Sequence, residues 1–209
     1  ILDSDCIIPE NYLKEVEAEL QREKADAFGG PDRAHESFSD VQKAINYAMT
    51  SFFTTGGIRG GKKKLDKFYP RSFNMGVRKD VYQALGGFSK MRFGEDIDFS
   101  IRIFKGGYAC RLFPEAWVWH KRRTDLKKFF KQVHNSGIAR INLYKKYPES
   151  LKLVHMLPAV FTLGVVVLLL ASLFWGGSLS LLVLFALIVF VNSSLQNKSL
   201  KIGLLSIAA

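Results

Sequence analysis

Three acidic or imidazole-bearing clusters in this sequence have the residue types and spacing for chemistry. The first is Asp3-Ser4-Asp5. On an extended segment alternate side chains share a face, so Asp3 and Asp5 can address one ligand, and hard carboxylate oxygens suit Mg²⁺ or Mn²⁺. Asp and Ser are also common wherever strands turn. The second cluster is Gly94-Glu95-Asp96-Ile97-Asp98. Acids in the first turn of a helix complement its dipole, and one placed there can also take a proton from a substrate hydroxyl as general base. Arg102, four residues after Asp98, accounts for Asp98 as an ion pair; the spacing does not select between Glu95 and Asp96. The third is His120, closing Ala116-Trp117-Val118-Trp119-His120. A single strand-end histidine is more often an ordinary residue than a ligand.

The elements that position these groups read as strands alternating with helices, an α/β layered domain. Ile1-Leu2 reads as the end of a buried strand with the acids at its carboxyl edge, where α/β proteins bind ligands. Pro9–Arg22 is expected as a helix, Ala25–Phe28 as a strand stopped by Gly29-Gly30-Pro31, and Ser39 as the N-cap of a helix to about Phe53. Ser72–Arg78 is expected to be extended, Lys79–Leu85 a short helix, and Glu95–Lys105 a longer one. Strands follow at Tyr108–Phe113 and Ala116–His120. The Gly- and Lys-rich Thr55–Pro70 stretch reads as a mobile loop, and its Arg59–Lys67 part could reach a diphosphate or lipid headgroups.

Composition divides the chain. Of 209 residues, 48% are hydrophobic and the formal net charge is +11. From Val154 onward there is no Asp or Glu, and Lys198 and Lys201 are the only formal charges, which leaves +9 on residues 1–153. Residues 154–175 and 179–195 read as two membrane spans joined by Gly176-Gly177-Ser178, with a third opening at Leu200. Lys and Arg crowd before Val154 and recur at Lys198 and Lys201, so the positive-inside rule puts residues 1–153 in the cytoplasm. Thr124 opens a basic helical segment through residue 153, with Leu126, Phe129, Phe130, Val133, Ile141 and Tyr144 on one side and a break expected at Asn135-Ser136-Gly137. It suits an anionic membrane surface, or a helix covering the sheet with its charged face in water. Two cysteines, Cys6 and Cys110, fit a reducing compartment and exclude a disulfide scaffold. Dispersed basic residues and the lack of a nucleic-acid module argue against a nucleic-acid partner.

In their order, Leu2-Asp3-Ser4-Asp5, Gly29-Gly30-Pro31, Phe73-Asn74-Met75-Gly76, Gly86-Gly87-Phe88, Gly94-Glu95-Asp96-Ile97-Asp98 with Arg102, Pro114–His120 and the paired spans resemble the membrane-attached family 2 glycosyltransferases of bacteria. The resemblance implies a partial GT-A type domain over 1–123 lacking its N-terminal nucleotide-binding half, an interfacial segment over 124–153 and a transmembrane region over 154–209. It implies an inverting, metal-dependent transfer of a sugar from a nucleotide-diphosphate donor to a lipid-linked or glycan acceptor at the inner membrane. By motif position Asp5 is the main metal ligand. Asp3 contacts the donor or the metal, Asp96 is the base, and Glu95, Gly30 and Asn74 lie along the substrates. His120 is a further metal ligand. Gln132 and Arg140 do not complete the Gln-x-x-Arg-Trp pattern of processive synthases, which favours transfer of single sugars. With the nucleotide-binding strands missing, the resemblance implies that this stretch is inactive in isolation. The alternative is a membrane-anchored scaffold that binds sugar nucleotides without turnover.

Overall fold

The computed structural model describes residues 1–55 and 68–209; the proposed acceptor-contacting loop at Arg59–Lys67 lies outside them. The chain separates into two compact units, Ile1–Phe38 with Gly60–Arg122, and Ser39–Arg59 with Arg123–Ala209.

The first unit is mixed α/β with two small sheets. In chain order it contains β1 (Cys6–Ile7), α1 (Tyr12–Arg22), β2 (Ala27–Gly29) and β3 (Asp32–Arg33). The second unit's α2 (Asp40–Thr50) and α3 (Phe52–Thr55) intervene before β4 (Met75–Val77), α4 (Lys79–Ala84), α5 (Glu95–Lys105), β5 (Cys110–Leu112) and β6 (Val118–His120). One sheet has the order β4-β2-β5, with β2 antiparallel to β4 and parallel to β5. The other has the order β1-β6-β3, with β6 antiparallel to β1 and parallel to β3. Two chain segments cross from the first sheet to the second in parallel, β2 into β3 and β5 into β6. They meet at Gly30, where a Cβ would stand 1.7 Å from the carbonyl oxygen of Ala116. Only glycine lets the two backbones approach that closely.

The acidic tripeptide departs from expectation. Ser4-Asp5 is a turn, closed by the Cys6 N–H donating to the Asp3 carbonyl at 3.1 Å, and not the end of an extended strand. The physical reason is local: Asp and Ser favour turns, and the chain must leave its place beside β4 to enter β1. Before the turn, Ile1 and Met75 exchange two backbone hydrogen bonds and Leu2 bridges Asn74. Alternation along a strand therefore does not govern Asp3 and Asp5.

α5 covers its predicted span. Gly94 precedes it at φ 82°, a left-handed conformation natural to glycine, and the helix buries Phe99 and Ile103 against Ala27, Met75 and Cys110. Arg102 pairs with Asp98 at 3.0 Å, as the i, i+4 spacing predicts, and also donates to the Leu85 and Gly87 carbonyls. It thereby ties the Gly86-Gly87 turn, both glycines at positive φ, to the helix.

The second unit is helical. Ser39 caps α2 in a reciprocal box with Gln42, as its position predicted. Ile45 and Met49 of α2 pack with Phe129 of α6 (Leu126–Lys146), flanked by Ala209. The apolar face of α2 thus finds its partners among the later helices, although α2 itself precedes the expected boundary at residue 123. α6 is also unbroken for 21 residues through Asn135-Ser136-Gly137, where Ser136 Oγ bonds the Gln132 carbonyl. Its apolar residues differ in burial. Phe129 and Leu143 are buried, while Phe130, Val133, Ile141 and Tyr144 are exposed.

Two helical stretches, Leu153–Ala171 and Gly176–Asn197, are long and apolar enough to cross a membrane. They contain α7 (Leu157–Ala171) and α8 (Leu179–Asn197). At 1.5 Å per residue each reaches about 30 Å. A soluble protein's core helix is enclosed, whereas no residue of α7 is buried. α9 (Leu200–Ala208) starts where a third span was expected and packs on α8 through small residues. Ser193 and Ser206 share a 2.7 Å hydrogen bond, and a Cβ on Gly203 would lie 1.9 Å from Ser194 Oγ.

Candidate active site

The pairing of β1 with β6 sets Cys6 directly opposite His120, and the Ser4-Asp5 turn brings in Asp5. The Lys121 N–H donates to the Asp5 carbonyl at 3.2 Å, closing this end of the sheet. His120 Nε2 lies 3.4 Å from Asp5 Oδ1, and its Nδ1 lies 3.9 Å from Asp32 Oδ2 on β3. Donor atoms of Asp5, Cys6 and His120 all fall within 4.8 Å of one another. Asp3 stays outside that group among the described residues, although its charge is felt by both Cys6 and His120.

Electrostatics follow from burial. Desolvation holds the His120 pKa below its usual value, against the opposing pull of Asp5 and Asp32. The ring is thus neutral at pH 7 and offers a lone pair. Burial, reinforced by the Asp5 and Asp3 carboxylates, pushes the Cys6 thiol up to about 11. Asp32 is itself ion-paired with the buried guanidinium of Arg122.

The run Arg71–Asn74 joins this cluster to the acidic helix start. Arg71 Nε lies 3.0 Å from Asp96 Oδ2, and the Ser72 N–H donates to the same oxygen at 3.5 Å. The next residue, Phe73, stacks on the His120 ring with centroids 4.7 Å apart, and its carbonyl accepts from Cys6 Sγ at 3.4 Å. Asp96 and His120 are therefore separated by one residue of backbone and one aromatic ring. Asp96 Oδ1 accepts from the Ile97 N–H at 2.8 Å. A carboxylate has about four acceptor positions. Among the described residues three are taken, and the fourth lies on Oδ1. Glu95, beside it, is partly exposed.

Two of the residues expected along the substrates, Asn74 and Gly30, are buried. Asn74 is fully buried, its Oδ1 accepting from Tyr12 Oη at 2.6 Å and its Nδ2 donating to the Ala116 carbonyl at 2.7 Å. One acceptor and one donor position of the amide are thus used inside the protein, and Asn74 braces the floor of the site. Gly30 is filled by Ala116 and Asn74 in the same way.

Sequence reasoning did not find Arg71, Phe73, Asp32 or Cys6. Asp32, following Gly30-Pro31, and Cys6, following Asp5, each adjoin a motif and were open to suspicion on that ground. Phe73 opens the Phe73-Asn74-Met75-Gly76 motif, which does not disclose its stacking on a ring 47 residues away, and Arg71 carries no local signal, because its role arises from a pairing 25 residues away.

The sequence model described as glycosyl transferase family group 2 matches residues 1–196. A 59-residue stretch is 30% identical to the probable glycosyltransferase YdaM of Bacillus subtilis (strain 168), covering 28% of this chain and 14% of that protein. The chain thus matches only a small part of that relative's length. With the family match running from the acidic turn through most of α8, the chain belongs to glycosyl transferase family group 2.

Proposed function

We propose that the protein moves a sugar from a nucleotide-diphosphate donor to a hydroxyl of a membrane-associated, lipid-linked acceptor, with inversion, one sugar at a time. The observation that carries this reading is the Arg71–Asn74 run, which sets a carboxylate with one open acceptor position next to the Asp5–His120 cluster. Asp96 Oδ1 takes the acceptor proton as the acceptor oxygen bonds to the anomeric carbon. The bond from that carbon to the donor phosphate breaks, and its electron pair leaves with the nucleoside diphosphate. Direct displacement needs no second, nucleophilic carboxylate. Arg71 and the Ile97 N–H hold the Asp96 carboxylate in place, while Asp3 and Glu95 face the donor and acceptor sugars.

The donor set fits the hard divalent cation that the family implies. A carboxylate oxygen and a neutral imidazole converge, and the far ring nitrogen of His120 is directed at Asp32. Asp5 and His120 would hold Mg²⁺ or Mn²⁺, with Asp3 in reach of the donor. When bound, such an ion neutralises charge gathering on the departing diphosphate.

The two apolar helices support a multi-pass protein of the inner membrane. The basic residues flanking both spans on one side put that side in the cytoplasm. α6 has six basic residues, no acid and an exposed apolar stripe, which suit an anionic leaflet.

Turnover of nucleotide sugars by the intact protein tests the assignment. Asp96→Asn is expected to lower kcat by roughly 10²–10⁴, with Glu95→Gln milder. Undiminished transfer by Asp96→Asn would remove it as the base.

A further inference from the structure

The transfer reading leaves Cys6 unused, although its sulfur sits among the cation donors. We propose that Cys6, His120 and Asp5 together form a site for a thiophilic divalent cation, Zn²⁺ above all, which occupies the pocket in competition with the hard cation that sugar transfer requires. The competition rests on the transferase reading; the site itself does not.

Directly opposed residues of an antiparallel pair project to the same face, which puts Cys6 Sγ and the His120 ring side by side. In a tetrahedral zinc site, bonds of about 2.3 Å to sulfur and 2.0–2.2 Å to nitrogen or oxygen set donor atoms roughly 3.3–3.8 Å apart. The 3.4 Å between His120 Nε2 and Asp5 Oδ1 already lies in that range, and all three donors lie within 4.8 Å. His120 is prepared for ligation through Nε2. Phe73 fixes its ring plane, and Nδ1 is buried without a hydrogen bond but faces Asp32 at 3.9 Å. A carboxylate behind a ligating histidine is the usual outer partner in zinc sites. One Cys, one His and one Asp leave a fourth position open. Sulfur favours Zn²⁺ or Co²⁺ over Mg²⁺, so Cys6 sets the selectivity. As the metal–sulfur bond forms, the thiol proton passes to solvent, and nothing is oxidised or reduced.

Co²⁺ titration of the intact, chelator-treated protein in detergent reads the site directly. The expected result is thiolate-to-cobalt charge-transfer absorption in the near ultraviolet that Zn²⁺ abolishes and Mg²⁺ does not. Cys6→Ser loses this band and Cys110→Ser keeps it. Iodoacetamide labelling of the unsubstituted protein gives the same answer without a variant: Zn²⁺ protects Cys6 and leaves the labelling of Cys110 unchanged. Absence of the band, its survival in Cys6→Ser, or unprotected Cys6 would overturn the site. Sugar transfer, measured separately, divides the two readings. Transfer without the band refutes the zinc site alone, and the band without transfer refutes the transferase assignment alone.

Discussion

Replacing Asn74 by alanine is expected to loosen the whole floor of the site. In the native protein its amide satisfies the Tyr12 hydroxyl and the Ala116 carbonyl, all within a fully buried pocket. Asn74→Ala strands both partners. A buried polar group left without a partner costs about 1–3 kcal/mol, so the lower bound for two is about 2 kcal/mol. At about 1.4 kcal/mol per factor of ten, that corresponds to roughly thirtyfold faster opening. Peptide-resolved hydrogen exchange measures this where the floor is stitched together: at the Met75 N–H bonded to Ile1, the Phe113 N–H bonded to Gly29 and the Val118 N–H bonded to Pro31. Peptides from α8, in the other unit, serve as the control. Tyr12→Phe strands only Asn74 Oδ1 and is expected to cost about 1 kcal/mol or somewhat more. The double variant strands only the Ala116 carbonyl and should fall short of the sum by about 2 kcal/mol, because neither the Tyr12 hydroxyl nor Asn74 Oδ1 is there to be stranded. Unchanged exchange in Asn74→Ala, or strict additivity in the cycle, would refute the account of Asn74 as a buried brace.

Three further outcomes follow from other parts of the molecule. His120 has a folded pKa below the value of 6.5 for a free imidazole, so the unfolded chain binds the proton first as pH falls. Its contribution to stability is complete above about pH 6.5 and declines as pH drops through that value toward the folded pKa; His120→Gln should flatten the fall in melting temperature between pH 8 and 5.5. Gly203→Val would drive a side chain into Ser194 and the Phe190 carbonyl, so a Ser193→Cys/Ser206→Cys disulfide that forms readily in the parent should fail to form. Spin labels at positions 130, 133 and 141 of α6 should be accessible to lipid-dissolved oxygen in phosphatidylglycerol vesicles, whereas one at buried position 139 should not; equal accessibility would remove α6 from the leaflet.

What the sequence disclosed was set by how local each determinant is. α5 was legible end to end because Gly94, three early acids, the Ile97–Ile101–Phe104 stripe and Gly106 all act within one helix. The Ser39 cap and the Arg102–Asp98 pair were legible for the same reason. Asn135-Ser136-Gly137 misled, since propensity is a weak prior and a 21-residue helix packed through Phe129, Ala139 and Leu143 absorbs one glycine. The apolar residues of α6 could be counted but not divided, because only the packing decides which of Phe129 and Phe130 is covered. The two-residue strands β1 and β3 are too short to show a period. Asp5, Asp96 and His120 were singled out by type and position, while the contacts that link them run through Arg71, which no local pattern marks, and through Phe73, whose motif does not show its stacking partner.

The placement of α2 has a practical consequence for anyone wishing to study the sheet-bearing half in water. That helix lies in the chain between β3 and β4, yet the neighbours that cover it come from beyond residue 123. Cutting the gene after Arg122 would therefore not release a self-sufficient soluble enzyme core. It would retain α2 and strip the cover from Ala44, Ile45 and Met49 in the middle of the polypeptide, inviting aggregation. A water-soluble version would have to replace Ser39–Thr55 as well, by a short polar linker or by surface redesign of that one amphipathic face.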